Sequence, residues 1–497
     1  MLLQVYNWTE DGSTIVCNAF KQADYTRYSF IFPAFYTQVI PLSDTKEFEE
    51  KNGQYIFHVS DVEYREAVYG SRPMGFKKYY TSKRLYDSKY YSGKSLYDIF
   101  FNHSRINPSS YIDLDRVTER FDLKHIKSNV RGLDVDEYIL YLKFEEIQCF
   151  AECCYNPRVH TSITPVPLNI MAFDIEVYFD NGGIVFVSPT KDSDQIICIS
   201  TMMSLNSAEV VEKFLQTYTS EVISLEAHKN NLSISFAYYP FDPKSEIEIL
   251  SDSTIVIHCL TEADVINGFV KLFMWVDPHH VTGHNVIDFD FKFLQNRIEH
   301  LASKGHNVQR ILLRKHLESK PTSIVIRAIN SIKGNRSITD NSGNILILDY
   351  MNYAKKYKKT MQSFSLEVCA NTSLSWKSKV RGVKVVDNIP YLACELPINE
   401  ILKLENTEYL KVIDLEEVVP CLWYDDEILL QIPDIESQII PQQYELAHCK
   451  AAYDLVDAFS DYTHESHRRC ISYCNHDSKL SLALYRIEDV SNSIFTI

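Results

Sequence analysis

Four carboxylates and one phenol stand in three short segments of the sequence, and together they could cut a phosphodiester. The carboxylates are Asp174, Glu176, Asp290 and Asp477, and the phenol is Tyr473. Carboxylates brought to one place can hold two divalent metal ions, one beside the attacking water and one beside the leaving oxygen. Because the segments are far apart in the sequence, a fold must bring them together before this chemistry is available.

The first segment has the pattern of a buried β-strand. Apolar residues run from Ile170 to Phe173 and lead directly into Asp174. Residues i and i+2 of a strand point to the same face, so Asp174 and Glu176 can contact the same metal ions. The apolar flanks predict a central strand of a sheet that is covered on both sides. The alternative is a strand that ends at Asp174 and leaves both acids in solvent.

The second segment predicts a turn followed by a helix. The turn is at Gly283, and apolar residues recur with helical spacing from Phe291 onward. Asp290 then lies near the start of the helix, where a carboxylate often acts as a cap, and capping is the alternative to metal binding. Two neighbours favour a functional role. Asn285 offers an amide to a nucleotide, and Phe289 offers a ring on which a base can stack.

The third segment has the apolar stripe of a helix. Tyr473 and Asp477 are four residues apart, so they share one face of that helix. A phenol one turn from a metal-binding carboxylate can orient the attacking water, whereas the alternative is an ordinary surface pair. Tyr453 and Asp457 have the same spacing. The pair at 473 and 477 is favoured because Cys474 follows the tyrosine and apolar residues follow the aspartate.

These segments resemble the Exo I, Exo II and Exo III motifs of the 3′–5′ exonuclease domain of family B DNA polymerases. Residues 173–176 match the family's Phe-Asp-Ile-Glu, residues 285–290 its Asn-x-x-x-Phe-Asp, and residues 473–480 its Tyr-Cys-x-x-Asp-x-x-Leu. Residues 99–111 are similar to the family's N-terminal domain, and residues 348–366 to its segment between Exo II and Exo III. The resemblance covers most of the chain and is closest to delta-type and large-DNA-virus members.

The resemblance implies a role for each of these residues. The implied reaction is hydrolysis at a single-stranded 3′ end of DNA, a proofreading step of replication that releases a nucleoside monophosphate. It uses two divalent metal ions, Mg²⁺ or Mn²⁺, and the implied metal ligands are Asp174, Glu176, Asp290 and Asp477. Tyr473, four residues before the last aspartate, would position the attacking hydroxide as in the tyrosine variety of the class. The residues implied to contact the DNA strand are Asn285 and Phe289.

The polymerase signatures of the family do not occur in the sequence. No stretch matches Asp-x-x-Ser-Leu-Tyr-Pro, Lys-x-x-x-Asn-Ser-x-Tyr-Gly or Tyr-Gly-Asp-Thr-Asp-Ser. Polymerisation by this chain alone is therefore not expected, and the palm, fingers and thumb would be encoded separately or be missing. The expected partners are primer-template DNA and such a polymerase portion. The alternative is a noncatalytic DNA-binding or scaffold subunit of a split replicative polymerase, although a retired site need not keep all four acids.

The composition of the chain suggests where the protein is located and which surfaces could bind DNA. The sequence has 497 residues, a formal net charge of −16 and twelve cysteines without a regular framework. No secretory leader or membrane-spanning run is evident, so free thiols and a location in the nucleus or at a viral replication site, with the cytoplasm as an alternative, are expected. DNA contact then depends on local basic clusters. Residues 72–94 interleave basic and aromatic side chains, and residues 355–384 are rich in lysine, but a solvated surface is the alternative for both.

The predicted fold is α/β (α+β), with two domains. Residues 1–165 are expected to form the β-rich N-terminal domain of the family. Residues 166–497 are expected to form a ribonuclease-H-like domain, a mixed sheet flanked by helices. Strand patterns occur at residues 55–59 and 138–142, and another buried strand is predicted at 345–349. The acidic, proline-containing stretch of about residues 388–443 predicts an insertion.

Overall fold

The computed structural model describes two compact units, formed by Met1–Val166 with Arg314–Lys320 and by Pro167–Leu313 with Pro321–Phe495. Residues 72 and 83–94 of the first basic cluster, and the Tyr453 and Asp457 pair, lie outside the described residues. The described residues are 1–10, 14–21, 23–24, 26–65, 74–82, 96–108, 110–130, 133–155, 168–178, 187–239, 247–250, 254–314, 318–319, 322–323, 339–342, 345–399, 401, 409–424, 427–433, 441–449 and 464–488.

The first unit is rich in strands, as the sequence predicts. Its described strands are β1 (Leu2–Glu10), β2 (Thr14–Lys21), β3 (Arg27–Pro33), β4 (Tyr36–Pro41), β5 (Ile56–Val59), β6 (Glu63–Arg65), β7 (Met74–Thr81), β8 (Tyr111–Asp113), β9 (Lys124–Val130), β10 (Leu133–Tyr141) and β11 (Cys154–Tyr155). Its helices are α1 (Thr45–Asn52), α2 (Leu96–Ser104), α3 (Leu114–Arg120) and α4 (Ile147–Ala151). Among the described residues, one sheet has the order β11-β8-β1-β2-β3-β10-β9, and a smaller one joins β4, β7, β5 and β6.

The second unit is built on a mixed sheet that helices flank. The described strands up to residue 349 are β12 (Ile170–Tyr178), β13 (Gln195–Ser204), β14 (Leu232–Tyr238), β15 (Ile247–Ile249), β16 (Ile255–Cys259), β17 (His280–Gly283), β18 (Leu312–Leu313), β19 (Thr322–Ser323), β20 (Thr339–Ser342) and β21 (Ile345–Asp349). The sheet order is β15-β16-β14-β13-β12-β17-β21-β20, with β12, β17 and β21 parallel and β13 antiparallel to β12. This is the predicted ribonuclease-H-like arrangement.

Strand β12 lies in the middle of that sheet and is covered on both faces. Phe173 and Ile175 pack into one apolar core. Ile170 and Ala172, which point to the opposite face, pack into another. The expectation of a central strand is confirmed, and the alternative that the strand ends at Asp174 is wrong, because β12 continues to Tyr178.

Helices of the second unit hold the two faces of the sheet. The described helices are α5 (Glu209–Leu215), α6 (Glu262–Val276), α7 (Asp290–Ser303), α8 (Tyr350–Tyr357), α9 (Leu366–Ser373) and α10 (His464–Ile487). Helix α6 begins at a capping box in which Thr261 Oγ1 accepts the N–H of Asp264 and Asp264 Oδ2 accepts the N–H of Thr261. Helix α10 packs against β12 and β13. Among the described helices, none is long and apolar enough to cross a membrane.

A closed antiparallel barrel separates α9 from α10 in the sequence. Its described strands are β22 (Ser375–Val386), β23 (Ile389–Glu395), β24 (Tyr409–Val412), β25 (Glu417–Trp423), β26 (Glu427–Leu430) and β27 (Gln443–His448), in the order β22-β23-β26-β25-β24-β27. The stretch predicted as an insertion falls within this barrel, whose first strand begins earlier, at Ser375. Leu392 and Leu430 of the barrel share a core with Ala172 and Leu348 of the sheet, so the two are packed together.

Candidate active site

Asp174 and Glu176 lie side by side on the face of β12 that α10 covers. Asp174 is half-buried, and the Glu176 residue is 9% exposed. They share this face with Ile170 and Ala172 because side chains alternate along a strand. The acid pair therefore stands at the edge of an apolar core, where two carboxylates are stable only with compensating partners.

Cys474 is a third donor beside this pair. The ligand atoms of Asp174, Glu176 and Cys474 all lie within 4.8 Å of one another. Cys474 Sγ also donates a hydrogen bond to the backbone oxygen of Asp174, at 3.4 Å. Burial, together with the neighbouring Cys198 and both carboxylates, raises the pKa of the Cys474 thiol well above its ordinary value. The sequence marks this cysteine as the residue after Tyr473 in the Exo III motif, but not as a neighbour of the acid pair.

The turn that leads to Asp290 depends on a glycine. A Cβ at Gly283 would lie 2.8 Å from Val286 Cβ and 3.0 Å from the backbone oxygen of Phe173, so no larger residue fits without movement. Asn285 follows with φ +67°, a left-handed conformation that asparagine tolerates better than most residues. The backbone N–H of Phe289 then donates to the Asn285 oxygen at 2.9 Å. The turn therefore has one defined shape.

Asp290 is the first residue of α7, yet it does not cap that helix. The cap position is Phe289, which makes no side-chain capping bond. Asp290 is 1% exposed, and its Oδ1 accepts the backbone N–H of Ile175 on β12 at 3.3 Å. The capping alternative is therefore wrong, and the carboxylate of the second segment lies directly against the strand of the first.

Tyr473 and Asp477 are both buried on α10, at 7% and 4% exposure. The alternative of a surface pair is therefore wrong. Polar contacts fix this part of the helix on the sheet: Ser478 Oγ donates to the backbone oxygen of Ser200 at 3.0 Å, and Asn475 Nδ2 donates to Thr254 Oγ1 at 2.6 Å. The third segment is thus anchored over β13 and its neighbours.

The carboxylates act on one another electrostatically. Burial raises the pKa of Asp290 to about 8, and the charges of Asp349 and Asp477 add to the effect, while the Ile175 N–H opposes it. Asp349, at the end of the buried strand predicted at 345–349, is a further buried acid, and burial raises its pKa to about 6.

Phe289 and Asn285 are accessible enough to contact a ligand, because both are only partly buried. The ring of Phe289 lies 5.9 Å from that of Phe293 on the next turn of α7. The second basic cluster is divided between two elements: its first lysines belong to α8 and the residues just after it, and the others to β22 of the barrel. From the first cluster, Lys77 and Lys78 lie on β7.

The donor set fits hard divalent cations. Carboxylate oxygens are the ligands that Mg²⁺ and Mn²⁺ prefer. Burial, with the charges of Asp349 and Asp477, raises the pKa of Asp290, and a bound cation would lower it again. Among the described residues, the tightest donor group is the one of Asp174, Glu176 and Cys474, and it does not include Asp290 or Asp477. Asp290 lies against the same strand through its hydrogen bond with the Ile175 N–H, and Asp477 lies on α10 three residues after Cys474.

A mixed sheet with acids from three segments at its centre defines the class of this protein: an α/β nuclease-type domain of ribonuclease-H-like architecture. Residues 95–368 match the family model for "DNA polymerase family B, exonuclease domain". The chain belongs to this family.

Individual relatives are distant. A stretch of 133 residues is 30% identical to DNA polymerase 037L of Invertebrate iridescent virus 6, and it covers 27% of this chain and 9% of that protein. Among solved structures, a family B DNA polymerase from the hyperthermophilic archaeon Pyrobaculum calidifontis aligns with 13% identity and a TM-score of 0.47, over 98% of this chain and 45% of that one. The chain thus spans less than half the length of either protein.

Proposed function

We propose that the chain is the N-terminal and exonuclease portion of a family B DNA polymerase, and that it removes nucleotides from DNA 3′ ends by two-metal hydrolysis. The observation that carries the proposal is the meeting of three segments at one strand. Asp174 and Glu176 lie on β12, Asp290 Oδ1 accepts the Ile175 N–H at 3.3 Å, and Cys474 of the third segment donates to the Asp174 backbone oxygen at 3.4 Å. A family B exonuclease domain has DNA as its substrate.

The proposed metal ligands are the four acids that the resemblance implied: Asp174, Glu176, Asp290 and Asp477. When bound, two Mg²⁺ or Mn²⁺ ions would supply an activated water and stabilise the leaving 3′ oxygen. Cys474 Sγ lies within 4.8 Å of the first two ligands. Because thiols favour softer metals, its proposed part is to support β12 through the Asp174 backbone oxygen.

The other residues act directly on water and DNA in this proposal. Tyr473 lies one helical turn from Asp477 on α10, and its hydroxyl would orient the attacking water. Asn285 would bond the terminal nucleotide, and the partly buried ring of Phe289 would stack on a base. A single strand fits these roles, because its bases are free to stack and its terminal phosphodiester can reach the acids.

The proposal also covers the rest of the chain. Residues 1–165 would be the family's N-terminal domain and residues 166–497 the exonuclease domain, with an insertion at about 388–443. A polymerase portion with palm, fingers and thumb would be the partner, and the place of work would be the nucleus or a viral replication site. The likeness to a viral DNA polymerase supports this location.

The test is a nuclease assay on a 5′-labelled single strand with Mg²⁺. A 3′–5′ exonuclease gives a ladder of products shortened one nucleotide at a time, and it stops at a phosphorothioate linkage placed near the 3′ end. The double variant Asp174→Ala/Glu176→Ala should lose the ladder. A primer with a mismatched 3′ end should be shortened faster than a matched one if the activity proofreads.

A matched double variant guards against nonspecific damage. Asp192 and Glu299 lie in the same unit and are exposed, with side-chain exposures of 70% and 55%. Asp192→Ala/Glu299→Ala removes the same two residue types and should keep the ladder. Equal degradation by both double variants would point to a contaminating nuclease. Tight strand binding without turnover in Mg²⁺ or Mn²⁺ would instead favour a noncatalytic subunit.

A further inference from the structure

Asp349 is a buried carboxylate that the proposed reaction does not use. It is the last residue of β21 and is 1% exposed. It lies beside Gly283, its partner in the parallel pairing of β17 and β21. The end of β21 therefore faces the turn that leads to α7.

Both oxygens of Asp349 accept backbone hydrogen bonds. Oδ1 accepts the N–H of Asn352 at 3.1 Å and so caps α8. Oδ2 accepts the N–H of Ile287 at 3.1 Å. One side chain thus ties the start of α8 to the turn of residues 283–290. With both oxygens engaged by amides, the carboxylate is poorly placed to bind a metal ion as well.

The turn needs such a tie because its backbone is buried and unusual. Asn285 has φ +67°, and Val286 and Ile287 are buried. Buried amides require acceptors, and this turn has no regular ladder to supply them. The same turn carries the side chains proposed to touch DNA and metal, Asn285, Phe289 and Asp290.

We propose that Asp349 is a positioning residue for the nuclease reaction. Its carboxylate holds the turn of residues 283–290 so that Asp290 contacts β12 and so that Asn285 and Phe289 face the single-stranded DNA. This inference rests on the proposed function. Reactions of this kind depend on placement, because a shift of about 1 Å in a reacting group can lower the rate about 10²-fold.

The test uses Asp349→Ser. Serine is a good helix cap, so α8 keeps its start, but the shorter side chain cannot reach the turn. We expect kcat/KM on single-stranded DNA to fall about 10²-fold, with a rise in KM because the DNA-contacting residues move. Hydrogen exchange should become faster in residues 283–290 and stay unchanged in residues 350–357. Asp349→Asn keeps one acceptor oxygen and should give intermediate values.

Ser365→Ala is the matched control. Ser365 Oγ caps α9 in the same unit by accepting the N–H of Val368, so its loss removes a cap without touching the turn. This variant should keep kcat/KM and the hydrogen-exchange rate of residues 283–290.

The positioning role would be overturned if the wild type is active and Asp349→Ser has unchanged kinetics. Faster hydrogen exchange without a kinetic effect would overturn it as well. An inactive wild type would instead refute the proposed function, while the exchange data still report whether Asp349 holds the turn. If Asp349→Ser does not fold, Asp349→Asn gives the same comparison.

Discussion

The sheet and the barrel of the second unit both bury charged side chains, but they compensate them in opposite ways. In the barrel, Glu427 is 6% exposed and is paired with Lys384. In the sheet, Asp290 is 1% exposed and its nearest charged influences are two further acids, Asp349 and Asp477. The buried Glu427 carboxylate has a counter-charge on Lys384, whose side chain is 54% exposed, whereas buried like charges are stable only when protons or added cations neutralise them.

This difference separates a structural charge from a functional one. Glu427 is paired with Lys384, so its charge is compensated within the barrel and needs no bound cation. Asp290 is held where its ionised form is unfavourable, which is typical of groups that bind metals or carry out chemistry. The comparison therefore agrees with the proposed cation site in the sheet and predicts that the two regions respond differently to the same kind of substitution.

Neutralising Asp290 should have the largest effect. Asp290→Asn removes a proposed ligand and should lower the nuclease rate by about 10³-fold, as expected when a key electrostatic group of an active site is lost. It should also raise the melting temperature of the metal-free protein, because a buried, crowded charge is gone. Nuclease assays and thermal unfolding in EDTA measure the two effects.

Glu427→Gln is the matched change in the barrel. It should leave the nuclease rate unchanged and lower the melting temperature, since Lys384 loses its charged partner. A barrel variant that lost activity, or an Asp290→Asn protein that was both active and destabilised, would break the distinction between the two regions.

The pH dependence of stability sharpens the comparison. Burial raises the folded-state pKa of Asp290 to about 8, above its value in the unfolded chain, so the folded state binds the extra proton between these values. The stabilising contribution is full below the unfolded pKa and is lost as the pH rises through about 8. Metal-free wild type should therefore lose stability from about pH 4 to pH 8 more steeply than Asp290→Asn. Urea unfolding at several pH values in EDTA measures the slopes.

Added Mg²⁺ should reduce that slope in the wild type, because a bound cation compensates the ionised carboxylate. Glu427→Gln should keep the steep wild-type slope. If the free energy of unfolding falls equally with pH in the wild type and in Asp290→Asn, the Asp290 carboxyl is not the group whose pKa is raised in the folded state.

The sequence predicted the local parts of this site and missed the parts that depend on tertiary contacts. The alternation around Asp174 and Glu176 placed both acids on one face of a strand, and the spacing after Asp290 gave the start of α7. These patterns depend on neighbours in sequence. Two contacts arise only when strands and helices from distant segments pack together. They are the contact of Cys474 with the acid pair and the hydrogen bond from the Ile287 N–H to Asp349.

The barrel shows the same limit more strongly. The acidic composition of residues 388–443 suggested an insertion, but closure of the barrel requires β22, which lies before that stretch, to pair with β27 at its end. Strand β22 also carries alternating lysines, so it was interpreted as part of a basic cluster. No pattern within either segment predicts that β22 pairs with β27, because the two strands are far apart in the sequence.

Alanine substitutions at two glycines, one in the turn and one in the barrel, are expected to have effects of moderate size. Gly283→Ala places a Cβ 2.8 Å from Val286 Cβ and 3.0 Å from the Phe173 oxygen, so we expect a loss of about 1–3 kcal/mol and reduced activity, because β17 and the turn must shift. In the barrel, Gly382 has φ +142° but no atom within 4 Å of a built Cβ. Gly382→Ala should lower stability by backbone strain while the nuclease rate stays unchanged. Unfolding by urea and the strand assay compare the two variants, and equal losses of activity would contradict the assignment of the turn to the active site.

The smallest effect is expected at the hairpin between β22 and β23. Asp387 and Asn388 have φ values of +52° and +65°, which is the pattern of a type I′ turn. Glycine adopts such angles without a Cβ penalty, so Asn388→Gly should raise the free energy of unfolding by about 0.5 kcal/mol. Nuclease activity should not change, because the hairpin belongs to the barrel and carries none of the proposed active-site residues. A change in rate without a change in stability would mean that the barrel takes part in DNA binding, and the contrast between the two regions would then need to be redrawn.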